Sequence, residues 1–151
     1  MTEYVEIIRD FLRNNLTDPN TDRESNWIYD DYPRQDLTSI SYPRISVIEL
    51  DEIGQPLGLN GTTFWVTFIF QIDVWVKEDT GYTIDSVYYG DIALCRKIAR
   101  DVTNTFREDW LDLVYNNHFL TLKQRGKSKP SYNPEKKMWK ISLTYELKSE
   151  V

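Results

Sequence analysis

Residues 62–77 read TTFWVTFIFQIDVWVK. Phe64, Val66, Phe68, Phe70, Ile72, Val74 and Val76 fall on one side of a two-residue period, and Trp65, Thr67, Ile69, Gln71, Asp73 and Trp75 on the other. Aromatic and β-branched side chains at that period predict a strand. At about 3.3 Å per residue it would reach roughly 50 Å, far beyond an ordinary strand. The first side is apolar without a break and demands a cover. The second is mixed, free to meet solvent or a partner.

Upstream, Arg44 to Ile53 alternates Ile45, Val47 and Glu49 against Ser46, Ile48 and Leu50, which predicts a second strand. The connection Gly54-Gln55-Pro56-Leu57-Gly58-Leu59-Asn60-Gly61 has the glycines and the Asn-Gly pair of a hairpin, so the two strands should be antiparallel. The longer one is expected to outrun the shorter, leaving an arm or an edge for a neighbour. Downstream, Ile84, Val87, Ile92, Cys95, Ile98, Ala99, Val102 and Phe106 predict the buried stripe of a helix over 84–106, the natural cover for the apolar side. Gly90 within it costs about 1 kcal/mol relative to Ala and marks a bend or close packing. Trp110, Leu111, Leu113 and Val114 add a further helical turn.

The ends complete the pattern. Thr2 is a candidate N-cap, with Glu3 and Glu6 in a first turn and Val5, Ile8 and Leu12 at helical spacing, predicting a helix over 3–15 that stops before Asp18-Pro19-Asn20. Residues 17–43 are irregular and acidic, with Trp27-Ile28-Tyr29 as a short strand or anchor. His118 to Lys123 and Met138 to Lys148 read as closing strands, the second with Trp139, Ile141, Leu143, Tyr145 and Leu147 inward. The expected architecture is α+β: about four antiparallel strands, two main helices on one face, in the order α-β-β-α-β-β.

A chain of 151 residues is expected to form one domain with a core that needs no staple. The single Cys95 excludes an intramolecular disulfide. No run of apolar residues is long enough to span a membrane, and the start MTEYVEIIRDFL does not read as a signal peptide. The net charge of −6 hides an asymmetry. Between residues 123 and 140 stand Lys123, Arg125, Lys127, Lys129, Lys136, Lys137 and Lys140 against Glu135 alone, a net +6 that leaves −12 on the remainder.

Chemistry is sparse. His118 is the only histidine and has no neighbouring nucleophile in sequence, and one histidine with one cysteine cannot furnish a transition-metal site. There is no glycine-rich phosphate loop, so neither cofactor nor catalytic residue is expected. Glu49, Asp73 and Lys77 resemble the carboxylates-plus-lysine set of metal-dependent nucleases, but the acid such sites want two positions before the lysine is Trp75 here. Charges on an exposed strand account for them better. The basic 123–140 stretch has three readings: a solvated hairpin tip, a contact to an acidic protein surface, or a phosphate contact with Tyr132 or Trp139 stacking on a base. The acidic 18–36 segment, Asp30 and Asp31 included, would complement it on an identical subunit, giving a head-to-tail interface.

Taken in order, the N-terminal helix, the acidic WIYDDYP segment, the strand led by SYPRISVIELDE, the strand ending FQIDVWVK, the YTIDSVYYGDIALCRKIARDV helix and a closing hairpin resemble the tail terminator proteins of long-tailed viruses of bacteria and archaea, also called tail-completion or tail-to-head joining proteins. The likeness spans about residues 1–148. It implies a non-enzymatic virion protein, assembled in the host cytoplasm, that forms a hexameric ring capping the tail tube and joining it to the neck connector. The resemblance further implies that DNA passes through the ring's acidic lumen without specific binding. Carried onto this sequence, candidate contacts to neighbours are Trp65, Ile69 and Trp75 with the basic Lys123, Arg125, Lys127, Lys129, Lys136 and Lys137, while Asp30 and Asp31 belong to the lumen or to the complementary interface. A related head-completion protein, or a nucleic-acid-binding module using residues 123–140, is the alternative.

Overall fold

The computed structural model describes residues 4–31, 41–57, 63–117 and 119–150. In chain order its elements are α1 (Tyr4–Asn15), β1 (Ile28–Tyr29), β2 (Arg44–Leu57), β3 (Thr63–Lys77), β4 (Gly81–Ile84), β5 (Val87–Gly90), α2 (Asp91–Asn116), β6 (Phe119–Lys127), β7 (Ser131–Asn133) and β8 (Met138–Glu150). β3 lies at the centre of a mostly antiparallel sheet ordered β1-β2-β3-β8-β6, with β7 on the same side of β8 as β6. β4 and β5 form a separate hairpin. The class is α+β, as expected, but six strands rather than four make the main sheet among the described residues.

The apolar side of β3 is the floor of the core: Phe68, Phe70, Ile72, Val74 and Val76 are buried, continued by Ile141, Leu143, Tyr145 and Leu147 of β8 and by Ile45 and Val47 of β2. Both helices cover this face. Phe106 of α2 stands 4.6 Å from Tyr145 and 5.6 Å from Phe11 of α1, ring to ring, and Tyr4 stacks on Phe68 at 5.4 Å. Such pairs add to plain burial because their quadrupoles favour offset and tilted geometries. Cys95, wholly buried, points its thiol at the Val74 carbonyl at 3.5 Å.

Three expectations are corrected. First, the helix does not begin at Ile84. Residues 81–90 are a two-stranded hairpin whose turn residues Asp85 and Ser86 have φ of 50° and 70°, the left-handed pair a two-residue turn requires. Ile84 and Val87 therefore leave the helical stripe, Gly90 precedes the helix rather than bending it, and α2 runs on through Trp110 to Asn116. The hairpin is tight at its base, where a Cβ on Gly81 would lie 2.0 Å from the Tyr88 hydroxyl.

Second, β2 continues through Gly54-Gln55-Pro56-Leu57 and pairs with β3 along its whole length, so β3 does not protrude. Within β2 the phase breaks. Glu49 opposes Phe70 but Asp51 opposes Ile69, making Leu50 an inserted residue that flips the alternation beyond it. The short strand expected in Trp27-Ile28-Tyr29 is present: Ile28 and Tyr29 form β1, parallel to the start of β2 and paired with Ile45 and Ser46. The Ile45 amide bonds the Trp27 carbonyl at 2.9 Å. Third, the residues between the two expected closing strands are not one loop: Arg125 and Lys127 join Lys123 on β6, and Lys136 and Lys137 sit in the turn between β7 and β8. Thr2, Glu3 and His118 fall outside the described residues, as do 32–40.

Candidate assembly interface

The sheet face opposite the helices carries the candidate interface residues. Register places the side chains in rows: Arg44, Trp75 and Lys140; Ser46, Asp73 and Ser142; Ile48, Gln71 and Thr144; then Ile69 beside Glu146, Thr67 beside Lys148, and Trp65 farthest along. Trp65, Ile69 and Trp75 are thus brought to one face, each half-buried. The Lys140 ammonium lies 5.1 Å from the Trp75 ring centroid and the Lys148 ammonium 5.9 Å from that of Trp65. Both indole nitrogens are shielded from solvent and lack an acceptor, so what each ring turns outward is carbon.

The middle of this face is polar but closed. Ser142 Oγ donates to Asp73 Oδ1 at 2.6 Å and Gln71 Nε2 donates to the same oxygen at 2.7 Å, while Asp73 Oδ2 and Ser46 Oγ have no partner. Asp73 is fully buried there. Glu49, by contrast, opposes Phe70 on the helix side, so Glu49 and Asp73 look in opposite directions and do not converge on a common metal. Among the described residues no cluster of three metal-capable side chains occurs. Burial pushes the Cys95 thiol up to about 12, leaving no thiolate at neutral pH.

The acidic candidates are engaged within the chain. Asp31 forms an ion pair with Arg44, whose guanidinium stacks on Tyr29 at 4.1 Å from the ring centroid; Asp30 lies 3.3 Å from Arg9. Asp18 accepts both arms of Arg23 at 2.7 and 2.9 Å and the Asn20 amide at 2.9 Å. These pairs hold the irregular segment against α1 and β2. On the basic side, Lys123, Arg125, Lys127, Lys129, Lys136 and Lys137 are exposed, and among the described residues only Arg125 of these approaches an acid, Glu146 at 4.0 Å. Tyr132 and Trp139 pack on each other at 5.0 Å, and Tyr132 donates to Glu78, so the rings offered for base stacking already have partners.

Two features escape sequence reasoning. One is a groove of about 340 Å³ between α2 and β6, lined by Phe106, Arg107, Trp110, Leu122 and Tyr145. The Tyr145 hydroxyl is almost inaccessible to solvent, with the Thr103 hydroxyl, itself donating to the Ala99 carbonyl, beside it. Burial raises the Tyr145 pKa, with Thr103 and Arg107 pulling the other way. The other is the outer edge of β2, where Leu50 and Ile53 are 48% and 42% exposed among Glu49, Asp51 and Glu52. The lone signal for it was the broken alternation in VIELDEI. No helix among the described residues is long and apolar enough to cross a membrane. Comparison with known proteins finds no matching family model and no matching curated protein.

Proposed function

We propose that this chain is a structural subunit of a ring that caps a viral tail tube and joins it to the neck connector. The observation that carries this reading is the helix-free sheet face on which Trp65, Ile69 and Trp75 are only half-buried. Interfaces are enriched in Trp and Tyr because a rigid ring buries much area at little entropic cost. In this reading neighbouring copies or the tail tube cover that face, DNA passes through the lumen without specific binding, no cofactor takes part, and the protein resides at the tail–neck junction of the virion. Electron microscopy of the purified protein is expected to show rings with a central hole. Trp65→Ala and Trp75→Ala should each leave a folded chain and weaken ring formation; if either variant simply unfolds, the ring belongs to the core and the assignment is wrong.

The exposed lysines of β6 and of the β7–β8 turn support a second reading, phosphate binding. Titration against short duplex DNA separates the two: a nucleic-acid module loses affinity steeply with added salt, whereas the ring subunit shows no measurable DNA affinity at physiological salt.

A further inference from the structure

The main sheet has two unfinished edges, and they differ in charge. At one end β1 pairs with β2 only at Ile45 and Ser46, so among the described residues the edge of β2 from Val47 onward has no strand beside it. This edge presents Glu49, Asp51 and Glu52, none in an ion pair, with exposed Leu50 and Ile53 between and beside them. At the other end β6 is the terminal strand and presents Lys123, Arg125 and Lys127, with exposed Leu120. Each free edge is roughly 30 Å long at 3.4 Å per residue. Unpaired edges of that length are templates for strand addition.

Strand direction and facing are compatible. β2 is antiparallel to β3, β3 to β8 and β8 to β6, so β2 and β6 run in opposite directions at opposite ends of the sheet. A copy placed so that its sheet continues this one brings its β2 antiparallel to β6 with the helix sides aligned. On that side β6 turns Leu122, Gln124 and Lys127, opposite Leu147, Tyr145 and Leu143, whereas Lys123 lies opposite Glu146 on the other face. β2 turns Glu49 and Glu52, opposite Phe70 and Phe68. The groove between α2 and β6 offers the guanidinium of Arg107, in no ion pair among the described residues. A carboxylate suits that guanidinium.

We propose that copies of this chain join edge to edge, the acidic β2 of one adding as an antiparallel strand to the basic β6 of the next and setting its Glu49 and Glu52 on the groove side beside Arg107. The contact is heterologous, so it propagates into a ring or a filament. It rests on the reading that the chain assembles with itself and acts in addition to the aromatic face.

The test is a charge swap read by light scattering on a sizing column. Glu49→Lys/Glu52→Lys makes both edges basic, and Lys123→Glu/Lys127→Glu makes both acidic. Each double variant alone is expected to be monomeric, with at least a tenfold weaker association than the parent. Their equimolar mixture should reassemble, because every contact in an alternating assembly is then complementary, and so should one chain carrying all four changes. Unperturbed thermal melting checks folding. If a variant fails to fold, carbodiimide crosslinking of mixed heavy- and light-isotope parent protein replaces it, with intermolecular bonds expected from Lys127 to Glu49 or Glu52 and from Lys123 to Asp51. Assembly that ignores the reversals, reversals that neither mixture nor quadruple variant rescues, or crosslinked oligomers lacking these bonds overturn the edge contact and leave the ring reading standing. A parent protein monomeric at every concentration and salt overturns both.

Discussion

Cys95 illustrates how burial decides chemistry at a single residue. Its thiol is enclosed by the sheet and α2, hydrogen-bonded to the Val74 carbonyl, and its pKa is pushed from an ordinary 9.0 to about 12 by desolvation. A thiol reagent at neutral pH should therefore modify the native protein no faster than it unfolds, while the denatured chain reacts at once. The linkage has a definite sign. An acid whose pKa is raised by folding stabilises fully below its unfolded pKa, and that contribution fades as pH climbs toward the folded one. Stability should accordingly fall between pH 9 and 12, and Cys95→Ala should flatten part of that decline in denaturant melts, the remainder coming from the buried phenols Tyr42 and Tyr145, also raised by desolvation. Phe106, touching Phe11, Phe70 and Tyr145, belongs to the same enclosed layer, and Phe106→Ala should cost about 3–5 kcal/mol by chemical denaturation. The contrast with Trp75, whose ring is half open, is the cleanest check on which aromatics are core.

Among the elements, the β4–β5 hairpin is the one most open to improvement. Ser86 holds a φ of 70° that costs an L-residue and suits glycine. Ser86→Gly should raise stability by roughly 0.5–1 kcal/mol in urea melts. This hairpin also shows why the sequence misleads there. Tyr82 to Tyr89 contains Ile84 and Val87 at helical spacing, and nothing in a Thr-Ile-Asp-Ser-Val run says that Asp and Ser will occupy the left-handed region. β3 and β8 were legible because their alternation persists over many residues and has no helical counterpart. β1 was legible as a short strand or anchor, but its partner and direction were not, since two paired residues carry no period. The bulge at Leu50 was hidden for a related reason: an inserted residue breaks a periodic pattern without saying which face the remainder takes.

At the scale of the molecule, charge placement departs furthest from expectation. The sequence divides into a basic 123–140 and an acidic 18–36, which predicts pairing between copies. The fold instead consumes Asp18, Asp30 and Asp31 in pairs with Arg23, Arg9 and Arg44, and it moves uncommitted acid to the edge of β2. The aromatic face was readable from the two-residue period; the groove beside Tyr145 was not, because it arises from how α2 crosses β6. Assembly driven by exposed charge should weaken as salt rises from about 0.05 to 1 M, since screening shortens the reach of such pairs to a few ångströms, and sedimentation velocity across that range measures it. The opposite characters of the two sheet ends have one more consequence. A seam that mates unlike ends cannot be related by a twofold axis, so any closed object built on it has a front and a back that differ. Such a washer can lie between two dissimilar neighbours, each greeting its own side, without any subunit adopting a second shape.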